Sequence, residues 1–545
     1  MKDPIQTPLP WVAALGPSLA EALPRLYGTP CDPLISEVIN ALTAALGRGE
    51  LELELNGPPP AEVSEAFWPE EHRSALANSP LCGDPDGPLA LEDGRLQWRR
   101  WQRQRQAVID ALVGRAGTLE RPASAAVPGV RDLPEFADLD GRQRQAVAAV
   151  LSHGLVLLEG GPGTGKTSTV AAMIAALRAQ EPGGRLHLAA PTGKAAGRLR
   201  AATGGTLPCT TLHRLLESRG DRFGRHRGRP LALDLLVVDE VSMLDLGLMA
   251  ALLEALPATC RLVLVGDPAQ LPPIAPGAVL LELQRPDRRH QLGAAAITLT
   301  TSYRNAGAIA AMASTLRQGL ATSPSSTDPL TAIRPLLQAL KATDNLRWRP
   351  CSPRTLPAEL LERLLRHQAS LARLAGRCRP GEAQGCGELL EERDRLLVMA
   401  PQRQGRWGLE AIHRTLLGGQ LDGDLQDLPV GTPVLCRRNL PELDLANGDV
   451  GLLVGGPGPS ARLLFGDGNG EAIWIHPGQL AGAAEPALAL TVHKAQGSEA
   501  EEVIVLLPSG GSRDSRLLYT ALTRARQAAL LLTDGDNEPR AGTTA

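Results

Sequence analysis

Short apolar runs recur along the middle of the chain, with helix-compatible stretches between them. The runs cover residues 155–158, 186–190, 235–238 and 261–265. The stretch from Thr169 to Leu177 is rich in alanine and compatible with a helix. This alternation predicts parallel strands with helices packed on the sheet, and hence an α/β fold. In such sheets ligands bind at the carboxyl ends of the strands, so functional residues are expected directly after these runs.

A glycine-rich loop follows the first apolar run. Glycine lets backbone N–H groups wrap around phosphates, while the next helix points its positive end at them. Lys166 is one of only five lysines among 56 basic residues, and a compact ammonium suits the space beside triphosphate oxygens. The alternative is an ordinary turn. The residues predicted to hold ATP here are Gly161, Pro162, Gly163, Thr164, Gly165, Lys166, Thr167 and Ser168.

Carboxylates and an amide follow two later runs. Asp239 and Glu240 end the run 235–238, so Asp239 is predicted to join Thr167 at Mg²⁺ and Glu240 to take a proton from the attacking water. A strand-end cap is the alternative for this pair. Gln270 follows the run 261–265 and is an uncharged amide that could sense a γ-phosphate. The sequence therefore predicts ATP hydrolysis with Mg²⁺.

The order of these motifs, from about residue 139 to 533, resembles that of superfamily 1 helicases. Residues 495–499, which read Ala-Gln-Gly-Ser-Glu, are similar to the RecD-like 5′→3′ branch, superfamily 1B. The resemblance implies that Gln143 and Tyr303 contact adenine and that Glu499 contacts the nucleotide. It also implies that Arg304 and Arg524 reach the γ-phosphate from a second unit, as arginine fingers do. A surface salt bridge is the alternative for either arginine.

Three segments combine small hydroxyls with a nearby cation after a strand-like run. Such groups can bond sugar and phosphate without reading bases, as a translocating motor requires. The predicted DNA contacts are Thr192, Lys194, Thr211, His213, Thr491, His493 and Lys494. The family resemblance assigns these segments to motifs Ia, Ib and V. Outside that context, a lone histidine is more often a structural residue.

The family resemblance implies two RecA-like P-loop NTPase domains with parallel sheets, a small SH3-like β insertion and a small, mainly helical N-terminal domain. Breaks rich in glycine, proline and small residues support this organisation. Asn447-Gly448 gives a strong hairpin signal inside the insertion. The predicted divisions are an N-terminal partner-docking domain at 1–115, motor domain 1 at 135–290 with a hairpin insertion near 217–231, motor domain 2 at 291–425 and 484–545, and the insertion at 426–483.

The net charge of −3 argues against nucleic-acid binding until the chain is divided. Residues 1–98 carry 15 acidic and 5 basic side chains, so the remainder carries a net charge of +7. An acidic N-terminal part suits a protein partner, and a basic remainder suits a phosphate backbone. A merely solvated acidic domain is the alternative.

The sequence shows no signal peptide, no membrane span and no paired cysteine motif, which predicts a cytoplasmic protein that does not bind membranes. Leu81-Cys82-Gly83 and the stretch from Leu89 to Arg100, with Trp98 and Trp101 nearby, resemble the N-terminal domain of RecD-type subunits of RecBCD complexes. This resemblance implies RecB- and RecC-like partners and action on single-stranded DNA and duplex ends. None of the five lysines follows an acidic residue at the spacing of a restriction-type nuclease, so any nuclease activity should belong to a partner.

The function predicted from the sequence is a 5′→3′ DNA helicase subunit in double-strand break repair and recombination. Two alternatives stay open. One is a stand-alone RecD-like helicase, and the other is a non-motor subunit that uses ATP as a switch for assembly.

Overall fold

The computed structural model describes residues 10–117, 134–220, 222–301, 307–322, 328–352, 354–382, 385–456, 458–466, 472–508 and 514–535. Two parallel sheets and one antiparallel sheet carry most of the strands, and a smaller antiparallel sheet lies in the N-terminal region. The α/β class and the parallel sheets are as predicted. The described residues include no helix with the length and apolar character needed to cross a membrane.

The N-terminal module is mainly helical and contains a three-stranded antiparallel sheet of order β1-β3-β2. Its elements are α1 Pro10–Leu26, α2 Pro33–Gly47, β1 Glu52–Glu54, α3 Glu70–Asn78, α4 Pro80–Gly83, β2 Leu89–Glu92, β3 Arg95–Trp98 and α5 Arg99–Ala116. Helix α2 begins where it does because the Asp32 carboxylate accepts a hydrogen bond from Leu34 N at 2.8 Å, with Pro33 in the first helical position. Helix α5 leaves this module and packs against the next sheet.

The first parallel sheet has six strands in the order β11-β4-β10-β9-β5-β6. The elements of this unit are α6 Gly141–Ser152, β4 Leu155–Gly160, α7 Lys166–Gln180, β5 Leu186–Ala190, α8 Gly193–Ala202, β6 Cys209–Thr211, α9 Leu212–Leu215, β7 Ser218–Arg219, β8 Arg222–Phe223, β9 Leu235–Val238, α10 Leu246–Ala255, β10 Arg261–Gly266, α11 Val279–Glu282, α12 Pro286–Leu292 and β11 Ala296–Leu299. Every residue of β4, β9 and β10 is buried, since helices cover both faces of the sheet.

Strand β11 lies beyond the predicted boundary at residue 290, yet it pairs in parallel with β4. The hydrogen bonds of a sheet, rather than chain order, assign a strand to a unit. We therefore propose that the first motor unit extends to Leu299. The short antiparallel pair β7–β8 lies inside the region predicted as a hairpin insertion, and Glu217 beside it forms ion pairs with Arg225 and Arg229.

The second parallel sheet has five strands in the order β12-β21-β20-β13-β19, and the antiparallel sheet has the order β17-β16-β15-β14-β18. The elements are α13 Ala308–Thr322, α14 Pro329–Gln338, β12 Leu346–Cys351, α15 Ala358–Ala375, α16 Cys386–Arg393, β13 Leu396–Ala400, α17 Leu409–Leu417, β14 Pro433–Cys436, β15 Val450–Val454, β16 Arg462–Gly466, β17 Ala472–Ile475, β18 Ala484–Pro486, β19 Leu490–Thr491, β20 Ala500–Leu507, α18 Ser515–Leu522 and β21 Ala525–Asp534.

The Asn447-Gly448 signal marks a turn just before β15, and Gly448 takes a φ of +98°. Strands β14 and β15 pair in antiparallel fashion, but a longer loop containing the 3₁₀ turn Pro441–Leu443 joins them. The loop that precedes β15, residues 437–449, is called the insertion loop below. It reaches the first motor unit, and so the antiparallel sheet is placed beside the functional site.

Candidate nucleotide and nucleic-acid sites

The glycine-rich loop connects β4 to α7 at the carboxyl edge of the first sheet. Gly163 and Gly165 have φ values of +71° and +79°, so both need the left-handed backbone that glycine adopts readily. Lys166 opens α7, and its Nζ donates to the carbonyl oxygens of Gly160 and Gly161 at 2.8 and 2.9 Å. The side chain of Ser168 is exposed, whereas that of Thr167 is half-buried. The ammonium is therefore held over the loop itself.

The two predicted carboxylates follow β9 at the same edge. Asp239 Oδ1 accepts a hydrogen bond from Glu240 N at 2.8 Å, and Glu240 takes a left-handed φ of +53°. Burial, followed by the nearby charge of Glu240, raises the pKa of Asp239 to about 6. Desolvation opposes ionisation of Glu240, but Arg524, Arg198 and Lys166 outweigh it and lower the pKa of that carboxyl. The site thus keeps Glu240 charged next to a carboxyl that takes up protons more readily.

The segment after β10 contacts helix α18 of the second unit. Asp267 Oδ2 accepts a hydrogen bond from Tyr519 Oη at 2.5 Å, and burial together with the Asp267 charge raises the pKa of Tyr519 well above its usual range. Gln270 is buried, and its Oε1 has no protein partner. A buried amide oxygen without a partner fits a ligand or water at this position.

Arg524 of the second unit places its guanidinium beside Glu240 of the first unit. It is 3% exposed, its Nε donates to Thr520 O at 3.2 Å, and its Nη1 lies 3.9 Å from Glu240 Oε1. Its Nη1 makes no hydrogen bond within the protein. Tyr303 and Arg304, the other predicted contributors from the second unit, lie outside the described residues.

Gln143 has a structural role beside its predicted one. Asp140 and Gln143 form a reciprocal capping box at the start of α6, with bonds of 2.8 and 2.9 Å. The Gln143 Nε2 also lies 3.4 Å from Thr164 O, so this residue ties the helix to the glycine-rich loop. The spacing Asp-x-x-Gln is the sequence signal for such a cap.

Two arginines that sequence analysis did not single out lie beside the glycine-rich loop and Glu240. Arg198 on α8 lies 3.3 Å from Glu240 Oε1 and 3.0 Å from Glu499 Oε1. Arg317 on α13 approaches the glycine-rich loop so closely that a Cβ on Gly161 would lie 2.8 Å from its Nη1. Neither arginine belongs to a recognisable motif, so the sequence offered no signal for them.

The three predicted DNA segments share one local design. The hydroxyls of Thr192, Thr211 and Thr491 each accept a hydrogen bond, at 3.3 Å, from the backbone N–H three residues later. Each threonine therefore caps the turn that carries its neighbouring cation or histidine. Burial lowers the pKa of both His213 and His493, which favours neutral imidazoles.

The two lysines of these segments bridge different parts of the molecule. Lys194 Nζ donates to Ser498 Oγ at 3.3 Å, and Lys494 Nζ donates to Asn447 Oδ1 of the insertion loop at 2.7 Å. The same loop places Asp444 in an ion pair with Arg214. Lysines 194 and 494 therefore lie where the two motor units and the antiparallel sheet meet.

A cleft of about 390 Å³ opens at this junction. It is lined by Lys194, Arg198 and Thr211 of the first unit, by Asp449 of the insertion loop and by Arg526 of the second unit. A Cβ on Gly193 would lie 2.7 Å from Asp449 Oδ1, so the loop closely approaches the start of α8. The cleft brings Lys194 and Thr211 together, whereas Thr491, His493 and Lys494 do not line it.

Comparison with known proteins agrees with this arrangement. An AAA domain model matches residues 143–276, and a model of the UvrD-like helicase C-terminal domain matches residues 486–532. The first range contains Lys166, Asp239 and Gln270, and the second contains Thr491 and Arg524. The two matches therefore coincide with the two sides of the cleft.

Curated relatives carry the names RecD and RecD2. The chain is 37% identical to the RecBCD enzyme subunit RecD of Mycolicibacterium smegmatis, over 85% of this chain and 83% of that protein. It is 33% identical to the ATP-dependent RecD2 DNA helicase of Deinococcus radiodurans, over 71% of this chain and 48% of that protein. A solved structure of the Pif1 helicase from Candida albicans aligns with a TM-score of 0.37 at 18% identity, over 73% of this chain and 95% of that one. The chain belongs to the RecD family of helicases.

Proposed function

We propose that this chain is an ATP-dependent DNA helicase that moves 5′→3′ along single-stranded DNA. The observation that carries the proposal is the approach of Arg524 to Glu240, with 3.9 Å between Nη1 and Oε1. Glu240 follows a strand of the first sheet and Arg524 precedes one of the second. A nucleotide held by Lys166 would therefore be contacted by both units, and its hydrolysis would change how they pack.

The residues around the glycine-rich loop fit Mg²⁺ and ATP. Thr167 and Asp239 would hold Mg²⁺, an oxygen-seeking cation that neutralises phosphate charge. The buried Oε1 of Gln270 and Nη1 of Arg524 make no hydrogen bond within the protein, which suits groups that bond a nucleotide or its water. Glu240, whose pKa is lowered, can take the proton of the attacking water. Arg304 and Tyr303 are proposed to complete the phosphate and adenine contacts.

We also propose that the chain works as a subunit beside RecB- and RecC-like partners, in the repair and recombination of DNA ends. The match to a RecD subunit supports this over the stand-alone alternative, because it covers 85% of this chain at 37% identity, whereas the match to the RecD2 helicase covers 71% at 33% identity. The acidic N-terminal residues would face the partners and the basic remainder the DNA. Any nuclease activity is assigned to a partner.

The decisive test is Lys166→Ala. We expect DNA-stimulated ATP hydrolysis to fall by roughly 10²–10³-fold, because one preorganised charge at the phosphates is removed. Lys341→Ala is the matched control, since Lys341 is exposed in the second unit, and it should retain full activity. ATPase activity that persists in the Lys166 variant would contradict the assigned site.

Polarity and assembly need separate measurements. The chain alone should unwind duplexes with a single 5′ tail and leave those with a single 3′ tail intact. Faster unwinding with RecB- and RecC-like subunits supports the subunit role. Full-rate unwinding by the chain alone favours the stand-alone alternative, and ATP-dependent assembly without unwinding favours the switch.

A further inference from the structure

Arg198 joins two carboxylates that belong to different motor units. Its Nη2 lies 3.3 Å from Oε1 of Glu240, and its Nη1 lies 3.0 Å from Oε1 of Glu499. Glu240 follows β9 of the first sheet, and Glu499 precedes β20 of the second. One planar guanidinium thus forks onto both sides of the cleft, a geometry that lysine cannot reproduce.

Glu240 needs an external support to stay in place. Its left-handed φ of +53° is an uncommon conformation for a residue with a side chain, and surrounding contacts must maintain it. Among the described residues, the guanidiniums of Arg198 and Arg524 lie within ion-pair distance of its carboxylate. Arg524 belongs to the second unit, so Arg198 is the ion-pair partner that stays with the first sheet.

The helix that carries Arg198 also carries predicted DNA contacts. Thr192 caps α8, Lys194 lies in its first turn, and Arg198 lies four residues later on the same face. A ten-residue helix is a rigid rod of about 15 Å. A displacement of Lys194 would therefore move Arg198 with it.

The contacts of this helix with the second unit are in register. Lys194 contacts Ser498 at 3.3 Å, and Arg198 contacts the next residue, Glu499, at 3.0 Å. A Cβ on Gly497 would lie 2.6 Å from Thr192 Oγ1, so the fit along this line is tight. Binding of a DNA strand at Lys194, or a change in the position of Glu499, would therefore shift the guanidinium of Arg198.

We propose that Arg198 is a positioning residue that holds Glu240 ready for ATP hydrolysis and links this readiness to DNA at the first turn of α8 through Glu499. The inference rests on the proposed helicase function and adds to it the physical connection between the nucleic-acid site and the hydrolytic site. It predicts that loss of Arg198 affects turnover rather than the binding of either ligand.

The test compares Arg198→Ala, Arg198→Lys and Glu499→Gln in the full chain. Arg198→Ala should lower DNA-stimulated kcat roughly 10- to 150-fold, the effect of losing charge-assisted hydrogen bonds. The KM for ATP and the Kd for single-stranded DNA should change less than about twofold, since both terminal nitrogens of Arg198 are engaged by Glu240 and Glu499 rather than by either ligand. Arg198→Lys should restore part of kcat. Glu499→Gln should lower the ratio of the ATPase rate with DNA to the rate without DNA.

Arg178→Ala is the matched control, because Arg178 is exposed on α7 of the same unit. It should behave as the unmodified chain. A fall in Tm with equal losses in kcat, KM and DNA affinity would show a merely structural role for Arg198 and overturn the proposal. Normal stimulation in Glu499→Gln would overturn the link to DNA.

Lys166→Ala, measured in parallel, distinguishes a failure of this inference from a failure of the proposed helicase function. If that variant loses ATPase activity while Arg198→Ala keeps it, the inference fails and the helicase function stands. If the unmodified chain shows no DNA-stimulated ATPase at all, the proposed function itself fails.

Discussion

The first parallel sheet meets its two neighbours in different ways. Towards the N-terminal module, helix α5 places Val108, Ile109, Leu112 and Ala116 in the same apolar cluster as side chains of β4, β9 and β10. Towards the second motor unit, hydrogen bonds and ion pairs dominate. They are Arg198–Glu499, Lys194–Ser498, Arg524–Glu240, Tyr519–Asp267, Thr520–Leu271, Gln496–Leu271 and Arg516–Pro268.

The polar contacts on the N-terminal side reinforce the apolar ones. Arg115 at the end of α5 donates at 2.9 Å to the carbonyl oxygens of Leu256, Pro257 and Cys260. Arg115 is half-buried, and this burial lowers the pKa of its guanidinium. The N-terminal module is thereby anchored to the first sheet.

The interface with the second unit is built to exchange partners. A neutral hydrogen bond contributes only about 0.5–1.5 kcal/mol, and one to a charged group about 1.5–3 kcal/mol, because water can replace it. Apolar packing contributes there through Ala269 and Leu271, which enter the core of the second unit. We therefore expect the N-terminal module to stay fixed on the first sheet and the second unit to move, as a motor driven by nucleotide hydrolysis requires.

The largest effect is expected on the fixed side. Leu112 is fully buried, so Leu112→Ala should lower the free energy of unfolding by about 2–5 kcal/mol through lost packing and the cavity left behind. Chemical denaturation measures this loss, and kcat per folded molecule should not change. Leu365→Ala removes an exposed leucine and should shift stability by less than about 0.5 kcal/mol. Equal stabilities of the two variants would refute an anchored N-terminal module.

The next largest effect is expected at the interface between the first sheet and the second unit. Arg317 comes from the second unit, and its guanidinium lies against Gly161 of the glycine-rich loop. Arg317→Ala should lower DNA-stimulated kcat by roughly 10- to 150-fold if this charge reaches the phosphates. Rapid-mix ATPase assays check the result, with the exposed Arg334→Ala as the control. Unchanged turnover would mean that Arg317 serves only the packing of α13.

The sequence predicted the centre of the first sheet well. The runs at 155–158, 186–190, 235–238 and 261–265 correspond to β4, β5, β9 and β10, with ends that differ by two residues at most. Parallel strands buried on both faces leave continuous apolar runs, which are easily recognised. Strand β6 at the sheet edge was missed because Cys209-Thr210-Thr211 is short and partly polar.

The cleft was harder to predict, because its contacts depend on tertiary packing. Arg198 and Arg317 lie on helices, where nothing in their neighbours reveals what the guanidinium will contact. The roles of Thr192, Thr211 and Thr491 as caps were readable in principle, since a threonine before a helical turn is a common cap. The predicted contacts at Tyr303 and Arg304 stay predictions.

The smallest expected effect tests the junction through pH. Burial, with Arg393 adding to it, lowers the pKa of Lys194 to about 8, while Asp394 and Asp449 act in the opposite direction. Below about pH 8 the side chain is charged and attracts a phosphate. As pH rises through this value the charge is lost, so affinity for single-stranded DNA should fall between pH 7 and 9. Lys194→Arg keeps its charge over this range and should show a weaker pH dependence.

The salt dependence of the affinity for single-stranded DNA shows whether Lys194 contacts a phosphate. Loss of one phosphate contact should reduce the slope of log K against log salt by roughly 0.7 for a single strand. The slope for the unmodified chain should therefore fall from pH 7 to pH 9, whereas the slope for Lys194→Arg should stay constant. Lys194→Gln should show the smaller slope at both pH values. If all three proteins give the same slope of log K against log salt, Lys194 contacts Ser498 but no phosphate. The DNA would then bind elsewhere on the interface between the two motor units.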